Sequence, residues 1–445
     1  MGVDMQRGRL TRVIGLFAGA AMLLSVGFIA ARADDANDLA ALNKQAFQLH
    51  GRGKYKEAAA IAEKALALAE RTLGAEHPNT LICVNNLGFM LVAQGRYDKA
   101  EPLYKRALGA KERVLGLEHP DTLTSVNNLA ELYRTLGRYA EAEPLHRRAL
   151  AGRERALGAE DPKTLTSVNN LAILYEAQGR YDEAEPLYKR AMEALGRTLG
   201  AEHPNTLSSM NNLAGLYEAQ GRYDEAEPLY RRTLESRERT LGPEHPATLT
   251  SLSNLGFLYR AKGRYAEAEP LYRRVLDARE RVLGSDHPDT LTSANNLAGL
   301  YQLQGRYAEA EPLLKRALTG YEHSLGTEHP NTLIGVSNLA ALYKAQERYG
   351  EAEPLYRRAL DARERVLGRE HPDTLTSINN MAGLYQAQGR HKEAEPLYQR
   401  ALGARERALG PDHPDTLGTI NDLAELYRAR SEEHTSELQS QNRIS

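Results

Sequence analysis

The chain has 445 residues, a length that would ordinarily fold as about three domains. Its net charge of −2 does not favour nucleic acid as a partner. Cys83 is its only cysteine, which excludes an internal disulfide, and we expect this residue to be a small buried side chain.

Residues 1–33 have the pattern of a secretory signal. Three arginines precede an apolar run at residues 13–30, and Ala31-Arg32-Ala33 places small residues where a signal peptidase cuts. We predict cleavage before Asp34 and a location outside the cytoplasm, in the periplasm if the source is a Gram-negative bacterium. The apolar run is long for a cleaved signal, so an uncleaved membrane anchor through residues 13–30 is the alternative. The mass of the mature N terminus would distinguish them.

The rest of the chain repeats with a period of 42 residues. A spacing this regular comes from one unit stacked on itself. Residues 34–76 form an atypical first unit, residues 77–412 form eight full units, and residues 413–429 form the first half of a ninth. A His-Pro or Asp-Pro dipeptide marks the start of a unit, with the proline at Pro78, Pro120, Pro162, Pro204, Pro246, Pro288, Pro330, Pro372 and Pro414.

Each unit contains two apolar patterns at helical spacing, which predict a helical hairpin. In the second full unit, helix A begins at Pro120, which suits the first helical position because its missing N–H is not needed there. Gly137 can take the left-handed conformation that closes helix A, and Gly158 ends helix B. Pro144 lies inside helix B, and we interpret it as a tolerated bend on the outer face. Glu347 replaces the turn glycine in one unit and should loosen that turn.

The unit resembles the tetratricopeptide repeat. Its period exceeds the usual ~34 residues because helix B extends to Leu157, and long units of this kind are similar to those of kinesin light chain, which many bacterial proteins also carry. The resemblance implies an all-α, right-handed superhelical solenoid of antiparallel helix pairs that binds peptides or proteins along the concave face lined by helix A. Val126 stands where the family often has Trp, and the residues that match the signature are Leu129, Ala130, Tyr133, Gly137, Tyr139, Ala142, His146 and Ala149.

No set of residues has the pattern of a catalytic or metal site. The landmark histidines occur once per unit, so neighbours would lie roughly 10 Å apart, whereas zinc holds its ligands at about 2 Å. Charged clusters such as Arg153, Glu154 and Arg155 are interpreted as solvated ion pairs along helix B. We therefore predict that the protein is not an enzyme and that it has no cofactor.

Helix A carries a pair of polar residues in each unit, and the second member is an asparagine in eight of nine units. An amide both donates and accepts, so a row of amides on the concave face could bind the backbone of an extended peptide. The alternative is that each asparagine satisfies a backbone group of a neighbouring helix or turn. The predicted peptide-binding residues are Asn86, Asn128, Asn170, Asn212, Asn254, Asn296, Asn338 and Asn380.

Two further positions on helix A vary between units and would determine specificity. At the first position, small residues would leave room for a ligand side chain, and Phe89 and Phe257 are candidates for exposed apolar contacts. At the second position, the charges are mixed and select no single charge type. The first position contains Phe89, Glu131, Ile173, Gly215, Phe257, Gly299, Ala341, Gly383 and Glu425. The second contains Val92, Arg134, Glu176, Glu218, Arg260, Gln302, Lys344, Gln386 and Arg428.

Residues 430–445 break the repeat pattern. They resemble a translated sequencing adapter, so we interpret them as an artefactual tail, with a genuine polar tail as the alternative. The ninth unit would then lack helix B and leave Leu423, Leu426 and Tyr427 partly uncovered. We predict a peptide- or protein-binding scaffold. The alternatives are the sensor half of a truncated enzyme, such as a caspase-like peptidase of the CHAT type, and a membrane-anchored tether of an envelope complex.

Overall fold

The computed structural model describes residues 33–444, with side chains from residue 37 to residue 432. The predicted signal segment, apart from Ala33, lies outside the described residues. None of the described helices is long and apolar enough to cross a membrane. Within residues 33–444 every element is a helix: α1 Ala33–Gly51, α2 Tyr55–Leu73, α3 Pro78–Ala93, α4 Tyr97–Leu115, α5 Pro120–Thr135, α6 Tyr139–Leu157, α7 Pro162–Ala177, α8 Tyr181–Leu199, α9 Pro204–Ala219, α10 Tyr223–Leu241, α11 Pro246–Ala261, α12 Tyr265–Leu283, α13 Pro288–Leu303, α14 Tyr307–Ser324, α15 Pro330–Ala345, α16 Tyr349–Val366, α17 Pro372–Ala387, α18 His391–Leu409 and α19 Pro414–Ile444.

The helices form antiparallel pairs that stack into a solenoid. From α3 to α18, each odd-numbered helix is a helix A of 16 residues, and each even-numbered helix is a helix B of 18 or 19 residues. Each helix packs against the helix before it and the helix after it. The predicted all-α solenoid of helix pairs is therefore confirmed.

The landmark dipeptide begins helix A through two separate effects. Pro120 occupies the first helical position, as predicted, and Nδ1 of His119 accepts a hydrogen bond from the Asp121 N–H at 3.1 Å. In the third full unit, Oδ1 of Asp161 accepts the equivalent bond from the Lys163 N–H at 2.8 Å. Each side chain satisfies an N–H group that the first helical turn leaves unpaired.

Helix A ends in a left-handed residue. Gly137 has a φ of 67°, which confirms the predicted turn, and Glu347 has a φ of 60° at the equivalent position. Only glycine adopts this conformation without steric conflict between Cβ and the backbone. Glu347 therefore keeps the turn geometry of the other units, but under strain.

The core lies between the two helices of a unit and between neighbouring units. Ala130, Ala142 and Ala149 are completely buried, so that the helices approach closely, while Tyr188 fills the space between them. Pro144 is exposed, and α6 continues through it. Its predicted position on the outer face is confirmed.

Most of the charged residues of helix B bind a neighbouring unit. Glu154 pairs with Arg190 at 2.6 Å, and Arg155 pairs with Glu118 at 2.6 Å. The interpretation of Arg153 as part of a solvated ion pair is wrong. Its guanidinium is buried and donates two hydrogen bonds to the next unit, one to the carbonyl oxygen of Lys163 at 3.0 Å and one to Ser167 Oγ at 2.9 Å.

A second polar contact between units repeats along the array at the turn from helix A to helix B. Glu185 of α8 accepts hydrogen bonds from Arg222 Nη1 at 2.6 Å and from the Tyr217 hydroxyl at 3.2 Å. The Arg222 guanidinium lies over the Tyr217 ring, 4.1 Å from its centroid, and also binds Glu225 at 2.7 Å. One carboxylate thus joins helix B of one unit to helix A of the next and to the residue that precedes its helix B.

The last described helix, α19, continues past the repeat pattern to Ile444. Leu423 and Leu426 are buried, so the prediction that they would be uncovered is wrong, because this face of helix A packs on the preceding unit. Tyr427 is exposed, as predicted, together with Leu417 and Ile420. Leu417 and Ile420 lie on the face that packs against the unit's own helix B in other units, as Leu375 and Ile378 pack against Ala401 and Ala404. The Tyr427 hydroxyl instead donates to Glu395 of the preceding unit at 3.0 Å.

Candidate binding groove

Helix A lies on the inner side of the curved array. Helices A of neighbouring units contact each other, as α5 contacts α7 and α7 contacts α9, whereas no described contact of comparable extent joins successive helices B. Helix A therefore forms the inner layer of the array. The predicted peptide-binding residues belong to this inner helix.

The first asparagine of each pair holds neighbouring units together. Asn127 Nδ2 donates to Ser167 Oγ of the next unit at 3.2 Å, and Asn169 Nδ2 donates to Ser209 Oγ at 2.6 Å. Both asparagines are buried. For this member of the pair, hydrogen bonding within the protein accounts for the amide nitrogen, whereas the Oδ1 of Asn85 and of Asn169 is buried without a partner among the described residues.

The second asparagine, which we predicted to bind peptide, does not have one environment throughout. Three of the row donate Nδ2 to the first asparagine position of the preceding unit at 2.9 to 3.1 Å: Asn86, Asn254 and Asn338. The Nδ2 groups of these three asparagines therefore form hydrogen bonds between units, which is the structural role considered as the alternative to peptide binding. Asn128, Asn170 and Asn380 are half-buried.

Asn212 and Asn296 are different. They are buried on the inner face, with 6% and 4% of their surface exposed. Asn212 Nδ2 and Asn296 Oδ1 have no hydrogen-bond partner among the described residues. One buried donor and one buried acceptor are thus left on the inner face of the central units.

The first variable position is less open than we predicted. Phe89 is half-buried, and its ring lies 6.0 Å from the Phe47 ring and 4.8 Å from the His50 ring. Phe257 is half-buried against Tyr272, with ring centroids 5.6 Å apart. The prediction of two exposed apolar residues is corrected accordingly. Ile173 and Gly215 are buried, and Glu131, Gly299, Ala341 and Gly383 are half-buried.

The glycines at this position face long side chains of the preceding unit. A Cβ added at Gly383 would lie 2.9 Å from Lys344 Nζ, and one added at Gly299 would lie 3.7 Å from an Arg260 nitrogen. The space that we expected to receive a ligand side chain is therefore bordered by a flexible basic residue in these two units.

The second variable position binds tyrosines of helix B. The hydroxyl groups of Tyr188, Tyr230 and Tyr398 donate to the side chains of Glu176, Glu218 and Gln386, each at 2.8 Å. The sequence showed the regular tyrosine position but not its partner, because the two residues belong to different helices. These bonds fix the side chains that border the hollow.

One unit has His146 in place of this tyrosine. Its Nδ1 lies 3.4 Å from Asn127 Oδ1, and burial lowers the pKa of His146 to about 4. The imidazole is therefore neutral at pH 7. Nearby, Arg134 forms an ion pair with Glu131, so these two variable residues neutralise each other.

The chain matches a sequence model described as tetratricopeptide repeat. Nine overlapping matches extend from residue 37 to residue 443. The chain belongs to the tetratricopeptide repeat family. No curated protein compared with it gives a significant match.

Solved structures contain repeats similar to those of this tetratricopeptide array. The nearly identical repeats of a putative kinesin light chain from Podospora anserina are 34% identical, with 46% of this chain and 97% of that chain covered and a TM-score of 0.40. BtubC (BKLC) from P. vanneervenii is 25% identical, with 52% and 92% covered and a TM-score of 0.43. A Rap protein complexed with competence and sporulation factor is 12% identical, with 84% and 99% covered and a TM-score of 0.55, and shows the same fold.

Proposed function

We propose that this tetratricopeptide array is a non-catalytic scaffold that binds an extended peptide, or an extended segment of a protein, along helix A. The observation that carries the proposal is the pair of unpaired amide atoms, Asn212 Nδ2 and Asn296 Oδ1. Buried polar atoms in folded proteins are normally hydrogen-bonded. An extended peptide would supply a carbonyl oxygen to the first atom and an N–H group to the second.

The charges at the second variable position would orient such a ligand. Glu176 and Glu218 belong to the third and fourth full units, whereas Arg260 and Lys344 belong to the fifth and seventh. A ligand with a basic side chain over the acidic units and an acidic side chain over the basic units would match this order. Because backbone bonds give little sequence preference, these charges would determine the direction in which the peptide binds.

The proposal is tested by comparing two pairs of alanine substitutions. Twelve-residue peptides are selected from a random displayed library against the wild-type protein, and their Kd is measured by fluorescence anisotropy. Asn212→Ala with Asn296→Ala should weaken a selected peptide by roughly tenfold, because two hydrogen bonds are lost. The thermal midpoint should not fall, since the two atoms have no partner in the protein alone.

Asn127→Ala with Asn169→Ala is the matched control. It removes two amides at the first position of the pair, whose nitrogens bind serines of neighbouring units, so it should lower the thermal midpoint. A library that yields no binder would contradict the proposal. So would a loss of stability in the Asn212 and Asn296 variant equal to that of the control, because the two amides would then be structural.

We also infer that the array is exported, from the arginines, apolar run and small residues of positions 1–33. In that case the peptide or protein that it binds is extracytoplasmic. Retention of residues 13–30 would instead attach the array to the membrane.

A further inference from the structure

Successive turns of the superhelix touch each other. His329 Nε2 lies 3.0 Å from the carbonyl oxygen of Ala93, and His371 Nε2 lies 2.9 Å from that of Thr135. Each pair of residues is 236 positions apart, which places the contact after about 5.6 units of the array. The end of helix A in one turn therefore meets the start of helix A in the next.

The contact is a row of four corresponding positions, which we call the seam, and the histidine–carbonyl hydrogen bond is described at two of them. A Cβ added at the turn glycine would lie 2.5 to 2.7 Å from a ring atom of the facing landmark, so no larger residue fits without movement. Tyr97 and Tyr139, just after two of these glycines, are buried, whereas Tyr55 and Tyr181, just after the other two, are half-buried. The facing pairs are Gly53 with Pro288, Gly95 with Pro330, Gly137 with Pro372, and Gly179 with His413.

Histidine suits the seam because one of its ring nitrogens accepts a hydrogen bond while the other donates one. Nδ1 of His329 accepts from the Asn331 N–H at 3.1 Å and caps its own helix, while Nε2 donates to Ala93 of the other turn. This arrangement needs the neutral ring, and burial lowers the pKa of His329 to about 4. Asp161 forms the same cap but has no donor, and neither Asp161 nor Glu347 is one of the facing residues of the seam.

The seam closes the hollow sideways. If neighbouring helices A lie about 9 Å apart, about 5.6 of them per turn place their axes on a circle of roughly 8 Å radius. A helix with its side chains has a radius of about 5 Å, and subtracting this radius from that of the circle leaves a hollow of roughly 3 Å radius. Such a hollow has room for an extended chain at most. The burial of Asn212, Asn254 and Asn296 in the central units, at 4 to 7% exposure, agrees with so narrow a channel.

We propose that the histidine seam is a clasp between turns, and that its opening controls access to the inner face of helix A. The identity of the ligand rests on the function proposed above, whereas the clasp itself does not. The seam is one residue wide in each unit and contains few hydrogen bonds, so it can separate while the helix pairs stay folded. A ligand would then reach the inner face from the side instead of threading through the ends.

The test replaces the seam histidines by aspartate, which the chain itself uses as a cap at Asp161. His329→Asp with His371→Asp keeps both caps but removes both donors and places a carboxylate against each carbonyl oxygen. His119→Asp with His203→Asp is the matched control, because these histidines cap helices through Nδ1 outside the seam. Equal losses of helix content in the two variants would show a capping effect alone and would overturn the clasp.

Spin labels measure the seam directly. Asp98→Cys and Thr327→Cys place labels at exposed positions on its two sides, in a Cys83→Ser background that uses the serine of most other units. Pulsed electron paramagnetic resonance should give one short distance for the wild-type seam and for the control. The seam variant should give a longer and broader distribution. An unchanged distribution in the seam variant, or a long distance in the wild-type seam, would refute the clasp.

Access to the inner face is measured without any peptide. Ala341→Cys, in the same Cys83→Ser background, provides a half-buried thiol on helix A, and its labelling rate with a bulky maleimide reports lateral opening. Loss of two hydrogen bonds should raise that rate roughly tenfold in the seam variant and leave it unchanged in the control. Equal labelling rates in the seam variant and the control would show that the seam does not control access to the inner face. The result does not depend on whether a peptide is the natural ligand.

Discussion

The carboxylate of Glu185 should contribute measurably to the coupling between units, and the substitution Glu185→Gln tests this. Hydrogen bonds from Arg222, and then Lys189, lower the pKa of Glu185 from 4.5 to about 2, against the opposite effect of partial burial. That shift corresponds to roughly 3 kcal/mol if fully expressed. The Glu185 side chain is 19% exposed and that of Arg222 is 32% exposed, so solvent screening reduces the expected loss to about 1–2 kcal/mol.

The stabilising effect of the Glu185 carboxylate should depend on pH and should decrease as the pH falls. A carboxylate with a lowered folded pKa stabilises the protein above its unfolded pKa of 4.5, and the stabilisation is lost as the pH falls toward the folded value of about 2. Wild type and Glu185→Gln should therefore differ most at pH 7, and the difference should shrink progressively as the pH falls from about 5 toward 2. The glutamine has no proton to gain over this range.

The assay is urea unfolding followed by far-ultraviolet circular dichroism at pH 7, 5 and 3. Because long repeat arrays need not unfold in two states, the midpoints of matched variants are compared. Glu183→Gln is the control, since Glu183 pairs with Arg180 on its own unit and is 50% exposed. The reasoning is refuted if both variants lose the same stability at pH 7, or if the loss in Glu185→Gln persists unchanged at pH 3.

Two further substitutions test strain and burial. Glu347→Gly should raise the thermal midpoint, by about 0.5–1 kcal/mol of stability, because the residue has a φ of 60°, and a lower midpoint would contradict the strain. Arg153→Ala should lower the free energy of unfolding by about 2–3 kcal/mol, because it opens a cavity. Arg153→Leu should leave urea unfolding nearly unchanged, because Leu195 occupies the same position in the next unit. Burial also lowers the pKa of Arg153 to about 10, which shows that the buried charge is itself costly. Equal losses in the two Arg153 variants would show that the guanidinium itself is required.

Part of the candidate site could be predicted from the sequence. The asparagine row and the two variable positions recur at fixed places on helix A, and the structure places helix A on the inner side. What the sequence could not show is which amides are already bonded. Asn254 has a partner in Asn211, whereas Asn212 and Asn296 each keep an unpaired atom, although the local sequence around all three is similar.

The repeat, the helix boundaries and the turns were determined by the sequence by itself, because they depend on contacts within a few residues. Pro120 begins a helix and Gly137 closes one whatever lies elsewhere in the chain. The seam was decided only by the tertiary structure. His329 meets Ala93 after 236 residues because small rotations between units accumulate over about 5.6 units, and a slight change in each rotation would move the two turns apart. The same dipeptide therefore caps a helix in each unit that contains it but joins two turns in only some of them.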